Sequence, residues 1–312
     1  MVTLNGLKRT LAATRDFQNL LSIKLSKKKR PITFRNGVTL RLTWPEFRIL
    51  RDNYQLLKKY TFEQMGEDLF KIRNEKLEYT GPLLDVCIRG GVGLCYTVRQ
   101  VGKDLFKIKD KHFELVGTSS MLYVVWELGQ GDYDIDCQGK VVLDVGGFQG
   151  ETAAFFWKMG AKKIIIYEPV KAHHKFIKKN ISVNRINAEI HEQGIGNVDG
   201  TQVVHYNATG TTFGDDEGKC EMEIQIKNVA SVIEENGADI AKFDCEGAEE
   251  SLVQVSNEVL RKIAFYTIEV HSTEIRKAII KKFREAGFNL VKKTAKSGHI
   301  TVLHFKRKKN SG

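Results

Sequence analysis

Proline is scarce in this 312-residue chain: Pro31, Pro45, Pro82 and Pro169 are the whole set, and no two are adjacent. Motifs built on a Pro-Pro pair, and proline-rich linkers, are therefore excluded. The five cysteines (Cys87, Cys95, Cys137, Cys220, Cys245) form an odd, scattered set without a C-x-x-C pair. That pattern excludes a disulfide framework and a zinc ribbon, and predicts buried structural thiols in a reducing compartment. No apolar run is long enough to cross a bilayer, so no integral membrane segment is expected. The first residues lack both an uninterrupted apolar stretch and a small-residue cleavage site, so a cytoplasmic location is the expectation. The dinucleotide fingerprint G-x-G-x-x-G is also missing.

What is present is a lopsided charge. Residues 1–120 carry 23 Lys+Arg against 12 Asp+Glu, whereas 121–312 carry 26 against 26, so the net +11 sits entirely in the N-terminal part. Such asymmetry suggests an anionic partner such as RNA, a phosphorylated or uronic sugar, or a lipid headgroup, with a solvated basic face as the plainer alternative. The length fits two domains, placed at 1–120 (basic, α+β, mostly β) and 121–312.

Within the first, residues 4–21 space Leu4, Leu7, Leu11, Phe17, Leu20 and Leu21 like an amphipathic helix, followed by the basic run Lys27 to Arg30. ITFRNGVTLRLT alternates around Asn36-Gly37 and predicts a hairpin with a type I′ turn. WPEFRILRDNYQLLKKY returns to helical spacing. GEDLFKIRNEKLEYTG (66–81) and GKDLFKIKDKHFELVG (102–117) share eight of sixteen positions, each reading as a hairpin, which implies a duplication. Between them Asp85, Gly90, Gly91 and Gly93 imitate a nucleotide loop, but the residues after Gly93 alternate like a strand, so the segment is a decoy.

After Tyr123 seven apolar runs appear: KVVLDVGG, KKIIIYE, AEIHEQG, ADIAKFD, AFYTIEVH, FNLVKKTA and HITVLHFK. Most are separated by stretches of helical periodicity, which predicts a parallel α/β sheet. The last two, split only by Lys296-Ser297-Gly298, read as an antiparallel hairpin. A Rossmann-like seven-stranded sheet ending this way is the layout of class I methyltransferases, and dinucleotide-binding domains do not end so.

The first run feeds Asp144-x-Gly146-Gly147-x-Gln149-Gly150 and then a helix through Thr152. Glycines there permit a tight turn and close approach of a ligand to the helix N-terminus. The acidic residue in first place suits the amino group of a methionine moiety better than a pyrophosphate. Glu168, ending the second run 18 residues after Gly150, is placed to accept both ribose hydroxyls. After the third run, Gln193, Gly194 or Ile195 should meet an adenine edge. These positions define an S-adenosylmethionine site: Asp144, Gly146, Gly147, Gln149, Gly150, Glu168, Gly194, Ile195 and Asp244. The fourth run ends in Lys242, Asp244, Glu246 and Glu249, the fifth in Glu269 and His271. Oxygen methylation needs a base, so Asp244, Glu246 and His271 are the catalytic candidates, with Asp244 or His271 as base. The alternative is that Glu246 and Glu249 merely begin a helix. No metal is expected.

LDVGGFQGE, YEP (167–169), KFDCEGAE (242–249) and IEVH together resemble the FkbM-type methyltransferases over residues 138–306. The resemblance implies S-adenosylmethionine-dependent methyl transfer to a hydroxyl of a sugar, polyketide or related metabolite. Gly147 departs from it, since the family commonly has Ala there. Two other readings stay open: an RNA methyltransferase acting on ribose or a ring atom, favoured by the basic N-terminal region, and a nicotinamide-dependent oxidoreductase. Methylation of exocyclic amines is disfavoured because the Asn/Asp-Pro-Pro-aromatic element is absent.

Overall fold

The computed structural model describes residues 13, 14, 20, 28–74, 77–207, 210–212, 220–296 and 299–308. The expected helix at 4–21, Lys27, and Ser297-Gly298 at the turn of the final hairpin lie outside the described residues, apart from Ala13, Thr14 and Leu20. The chain divides into two compact units, Met1–Lys111 and His112–Gly312.

In the first unit Arg30–Thr33 (β1) and Thr39–Leu42 (β2) pair antiparallel. The turn is not type I′. Gly37 alone has a positive φ, +89°, and its N–H reaches Phe34 O while Phe34 N–H reaches Val38 O. A type I turn closed by a left-handed glycine does this, and leaves Asn36 free to donate its side chain to Leu57 O. Trp44–Asp52 (α1) is opened by a reciprocal cap between Thr43 and Glu46, and Tyr54–Lys59 (α2) follows. Then come Thr61–Gln64 (β3), Phe70–Arg73 (β4) and Glu78–Gly81 (β5), an antiparallel meander, and Leu83–Cys95 (α3).

Gly90, Gly91 and Gly93 lie inside α3 rather than in a strand-to-helix loop. A Cβ on Gly93 would stand 2.6 Å from the Tyr60 hydroxyl, so the small residue there serves close packing. Thr97–Gly102 (β6) and Leu105–Lys109 (β7) form the unit's last hairpin.

The second unit begins with Glu114–Gly117 (β8) and Ser119–Leu128 (α4). The duplication therefore runs beyond the matched residues: Tyr60-Thr61 and Tyr96-Thr97 each open the same order of three strands and a helix. The division at 111/112 precedes the 120/121 boundary drawn from charge, for a physical reason. Strand β8 is held from within the second unit, as described below.

There follow Val141–Val145 (β9), Glu151–Lys158 (α5), Lys163–Tyr167 (β10), Lys171–Asn184 (α6) and Ala188–His191 (β11). Gly194–Gly196 (β12), Gly200–Asn207 (β13), Gly210–Thr212 (β14) and Cys220–Asn228 (β15) make a separate four-stranded sheet in the order β12-β15-β13-β14. Val229–Glu235 (α7), Ile240–Phe243 (β16), a 3-10 turn at Ala248–Val253, Asn257–Leu260 (α8), Phe265–Val270 (β17), Thr273–Glu285 (α9), Phe288–Ala295 (β18) and Thr301–Arg307 (β19) complete it.

The main sheet has seven strands in the order β11-β10-β9-β16-β17-β19-β18. All seven apolar runs of the sequence are in it. Only β19 runs against its neighbours, so this is the Rossmann-like sheet of class I methyltransferases with its reversed terminal strand. Alternation sorts the strand residues. Leu143, Val145, Ala241, Phe243, Tyr266 and Ile268 pack into the large core with Ile279 and Phe283 of α9. The opposite phase carries Asp144, Lys242, Thr267, Glu269 and His304, all buried.

Among the described residues no helix is long and apolar enough to cross a membrane. Cys87, Cys95, Cys137 and Cys245 are free thiols, but only Cys87 and Cys137 are buried, which corrects the expectation of buried thiols throughout.

Candidate functional site

The loop after β9 is built from unusual backbone. Gly146 (φ +79°), Phe148 (+45°) and Gly150 (+88°) are all left-handed. A Cβ on Gly146 would lie 1.8 Å from the Asp244 carbonyl oxygen, so the end of β16 touches this turn and only glycine fits. Gly146 N–H donates to Tyr167 O at 2.9 Å, tying the turn to β10 as well. At Gly147 a Cβ would meet Ile166 Cγ2 at 2.3 Å. The alanine usual in the resembling family is therefore blocked here by the branched neighbour, rather than traded for a looser turn.

Glu168 meets this loop. Its Oε2 accepts from Phe148 N–H at 2.9 Å, and its Oε1 accepts from Val170 N–H at 2.9 Å with His173 Nδ1 at 3.2 Å. A carboxylate has about four lone-pair directions, and three are taken here, so Oε1 is filled and Oε2 keeps one. His173 also sets its ring edge-on to Phe148, centroids 4.4 Å apart. The predicted pair of glycine loop and second-strand acid is thus in direct contact.

Two predicted ligand positions are placed differently from what their spacing suggests. Asp144 is fully enclosed, with Oδ2 accepting from Thr152 Oγ1 and Oδ1 3.3 Å from Lys242 Nζ. Gln149 is 1 % exposed, and both ends of its amide are engaged: Oε1 accepts from Thr118 N–H at 2.8 Å and Nε2 donates to Thr118 Oγ1 at 2.7 Å. Below it, α6 carries an asparagine ladder. Asn180 accepts from Val116 N–H and donates to Val116 O and Gln149 O, and one turn on Asn184 does the same with Glu114 N–H and O. Two side-chain amides at i and i+4 match two alternate residues of a strand, so β8 is bonded to a helix as if to another strand.

Gly194 and Ile195 open β12, the first strand of the second sheet. The Ile195 side chain is buried in the core, which leaves its backbone for any edge contact.

At the carboxyl ends of β16 and β17, Asp244, Glu246, Glu249, Glu269 and His271 come together. Glu249 is completely buried; its Oε1 accepts from His271 N–H at 3.2 Å and lies 3.1 Å from His271 Nδ1, and its Oε2 accepts from Gly247 N–H. The ring is thereby fixed with Nε2 3.5 Å from Glu246, 3.8 Å from Asp244 and 3.9 Å from Glu269. Burial works against a charged His271, but Glu249, Asp244 and Glu246 outweigh it and lift its pKa to about 9. Burial, with Asp244 and Glu269 adding to it, pushes Glu246 up to about 7 against the pull of His271.

Behind them Glu269 accepts from Tyr133 Oη at 2.8 Å and from Lys296 Nζ at 2.7 Å, and Lys296 also reaches Glu127 of α4 at 3.2 Å. Burial lifts Glu127 to about 7 despite Lys296. Asp244, Glu269 and His271 each bring one ligand atom within 4.8 Å of the others. The Lys296 ammonium on Glu269 already supplies positive charge there.

Lys242 and Glu249 carry tasks that their place at the end of the fourth run does not announce. Glu249 orients the histidine; Lys242, 1 % exposed, joins the loop and the acidic corner. A lysine inside the apolar run Ile240-Ala241-Lys242-Phe243 was the signal. The asparagine ladder left only the i, i+4 spacing of Asn180 and Asn184.

No protein-family model matches the chain, and no curated protein matches it in sequence. Solved structures that resemble it include the fibrillarin pre-rRNA processing protein of Methanococcus jannaschii (11% identity, 80% of this chain and 99% of that one, TM-score 0.40). Another is ribosomal protein L11 methylase of Lactobacillus delbrueckii subsp. bulgaricus (13%, 60% and 80%, TM-score 0.37). A third, from Streptococcus pneumoniae, was solved in complex with S-adenosyl-L-methionine (14%, 59% and 75%, TM-score 0.37). What this chain's site can do is read from its own residues.

Proposed function

We propose that the chain is an S-adenosylmethionine-dependent methyltransferase acting on a hydroxyl of a sugar or other small metabolite, in the manner of the FkbM-type enzymes its motifs resemble. One observation carries the reading. At the carboxyl end of a class I sheet, a left-handed glycine loop from the first strand is hydrogen-bonded to an acidic residue from the second, Phe148 N–H to Glu168.

The residues fit the donor. The Gly146 turn brings the loop backbone against the end of β16, Glu168 Oε2 keeps a lone pair for a ribose hydroxyl, and the Gly194-Ile195 backbone serves the adenine edge. Bound, the donor supplies an electrophilic methyl group. Asp144 and Gln149 act on it through the loop they brace rather than by touching it, and Asp244 lies on the side of the loop where the acceptor enters.

The acids around His271 raise its pKa to about 9 and so favour the imidazolium, which leaves Glu246 the better placed base. Glu246, poised near neutrality and 3.5 Å from that ring, takes the hydroxyl proton, and His271 steadies the carboxylate. Asp244 and Glu269 disfavour an acceptor bearing its own negative charge beside the reacting hydroxyl. No metal takes part in this scheme.

Labelled methyl transfer to a panel of sugars tests it. Glu246→Gln is expected to lower turnover about 100-fold or more while leaving donor affinity within about threefold. Full turnover by that variant would remove Glu246 as the base.

The second reading, methylation of RNA at ribose or a ring atom, is favoured by the +11 confined to residues 1–120. Its mark is RNA affinity that falls steeply with salt. The oxidoreductase reading is disfavoured by the absent G-x-G-x-x-G and by the reversed β19.

A further inference from the structure

We propose that Lys242 is the positioning residue that fixes the Gly146 turn and the Asp244 carboxylate as one unit, so that the donor loop and the acceptor corner are assembled together. This rests on the methyltransferase reading for its purpose but not for its geometry. Lys242 stands opposite Asp144 in the parallel register of β16 with β9. Its Nζ donates to Gly146 O at 2.6 Å and lies 3.3 Å from Asp144 Oδ1 and 3.7 Å from Asp244 Oδ2. The ammonium also donates to Val145 O at 3.4 Å, so both of its hydrogen bonds go to backbone carbonyls at the head of the loop, while Asp144 and Asp244 flank it as ion-pair partners.

Gly146 O, Asp144 and Asp244 each lead to a different part of the site. Gly146 O orients the peptide between Gly146 and Gly147, and hence the approach of Phe148 N–H to Glu168. Asp144 reaches Thr152 at the start of α5. Asp244 is the partner with an open side, 30 % exposed, facing His271. Burial opposes the lysine's charge, but Asp144, Asp244 and the enclosed Glu151 outweigh that and keep it an ammonium. An apolar residue of equal length would fill the space but remove the donor to Gly146 O and the positive charge beside Asp144. A lysine needed only to neutralise Asp144 would have no reason to place its shortest contact on a loop carbonyl.

The test separates loop positioning from stability and from the identity of the donor. Asp144→Asn/Lys242→Met removes both members of the enclosed pair, and Lys242→Arg keeps the charge but replaces a point donor by a planar fork. Residue-resolved hydrogen exchange is read in the absence of any ligand. In either folded variant the amides of Gly146, Gly147 and Phe148 are expected to exchange about tenfold faster, with those of Leu143 and Ile166 unchanged.

S-adenosylmethionine is then titrated by calorimetry, and its affinity is expected to fall about tenfold in the same variants. Loop exchange at the wild-type rate in both variants overturns the proposal, whatever binds. Failure of the wild-type protein to bind S-adenosylmethionine overturns the methyltransferase reading instead, and the exchange result stands apart from it.

Discussion

Gly146 and Gly147 are neighbours, yet a methyl group added to each would strike different matter. At Gly146 it meets the backbone oxygen of Asp244, which cannot move without shifting β16; at Gly147 it meets one branch of the Ile166 side chain. Gly147→Ala is therefore expected to cost about 1–3 kcal/mol by overpacking, and Ile166→Leu, which lacks that branch, to recover most of it. Gly146→Ala has no such partner. Denaturant unfolding of the single and double variants checks this, and a Gly147→Ala protein as stable as wild type would contradict it.

The titrating groups of the site act in one direction. Glu127 and Glu246 are held at about 7, Glu151 at about 8 and His271 at about 9, each above its ordinary value. The folded state thus prefers them protonated, a contribution fully present below their unfolded pKa values and lost as pH rises through the folded ones. His304, lowered to about 4 by burial with Lys292 assisting, works oppositely and loses its contribution as pH falls toward that value. Between about pH 4.5 and 6.5 the three raised carboxyls outnumber the one lowered histidine, so the Tm should peak near pH 4.5 and decline to about pH 9. A Tm rising over that range would contradict the assignment.

At the scale of elements, the bond between β8 and α6 is the unusual one. Asn180, fully buried, answers both backbone groups of Val116 and the Gln149 carbonyl at once. Asn180→Ala leaves those groups unpaired, with an expected loss of roughly 2–4 kcal/mol and faster exchange at Val116. The same change should loosen Gln149 and hence the start of α5.

The seven main strands were legible because each is a compact β-branched run, and the site acids because they end such runs. The second sheet was missed although Met222, Ile224 and Ile226 alternate cleanly, since an inserted sheet breaks the strand-helix rhythm that organised the reading. The type I′ turn failed because its dipeptide also suits a longer loop with one left-handed glycine. The ladder and Lys242 were hidden for a deeper reason. Their partners lie 64 and 96 residues away, and no local pattern encodes a hydrogen bond to backbone.

For the whole molecule, the two units carry distinct characters: an excess of positive charge in the first, and in the second a balanced charge with acids gathered at one end of the sheet. Everything proposed about chemistry depends on whether the glycine loop and Glu168 hold a nucleoside-bearing donor. Calorimetric titration of the wild-type protein and of Glu168→Ala with S-adenosylmethionine, and separately with NAD, decides it. The account predicts S-adenosylmethionine binding in about the micromolar range, no NAD binding, and at least about a tenfold loss of donor affinity in the variant. NAD binding alone, or donor affinity untouched by Glu168→Ala, would contradict it.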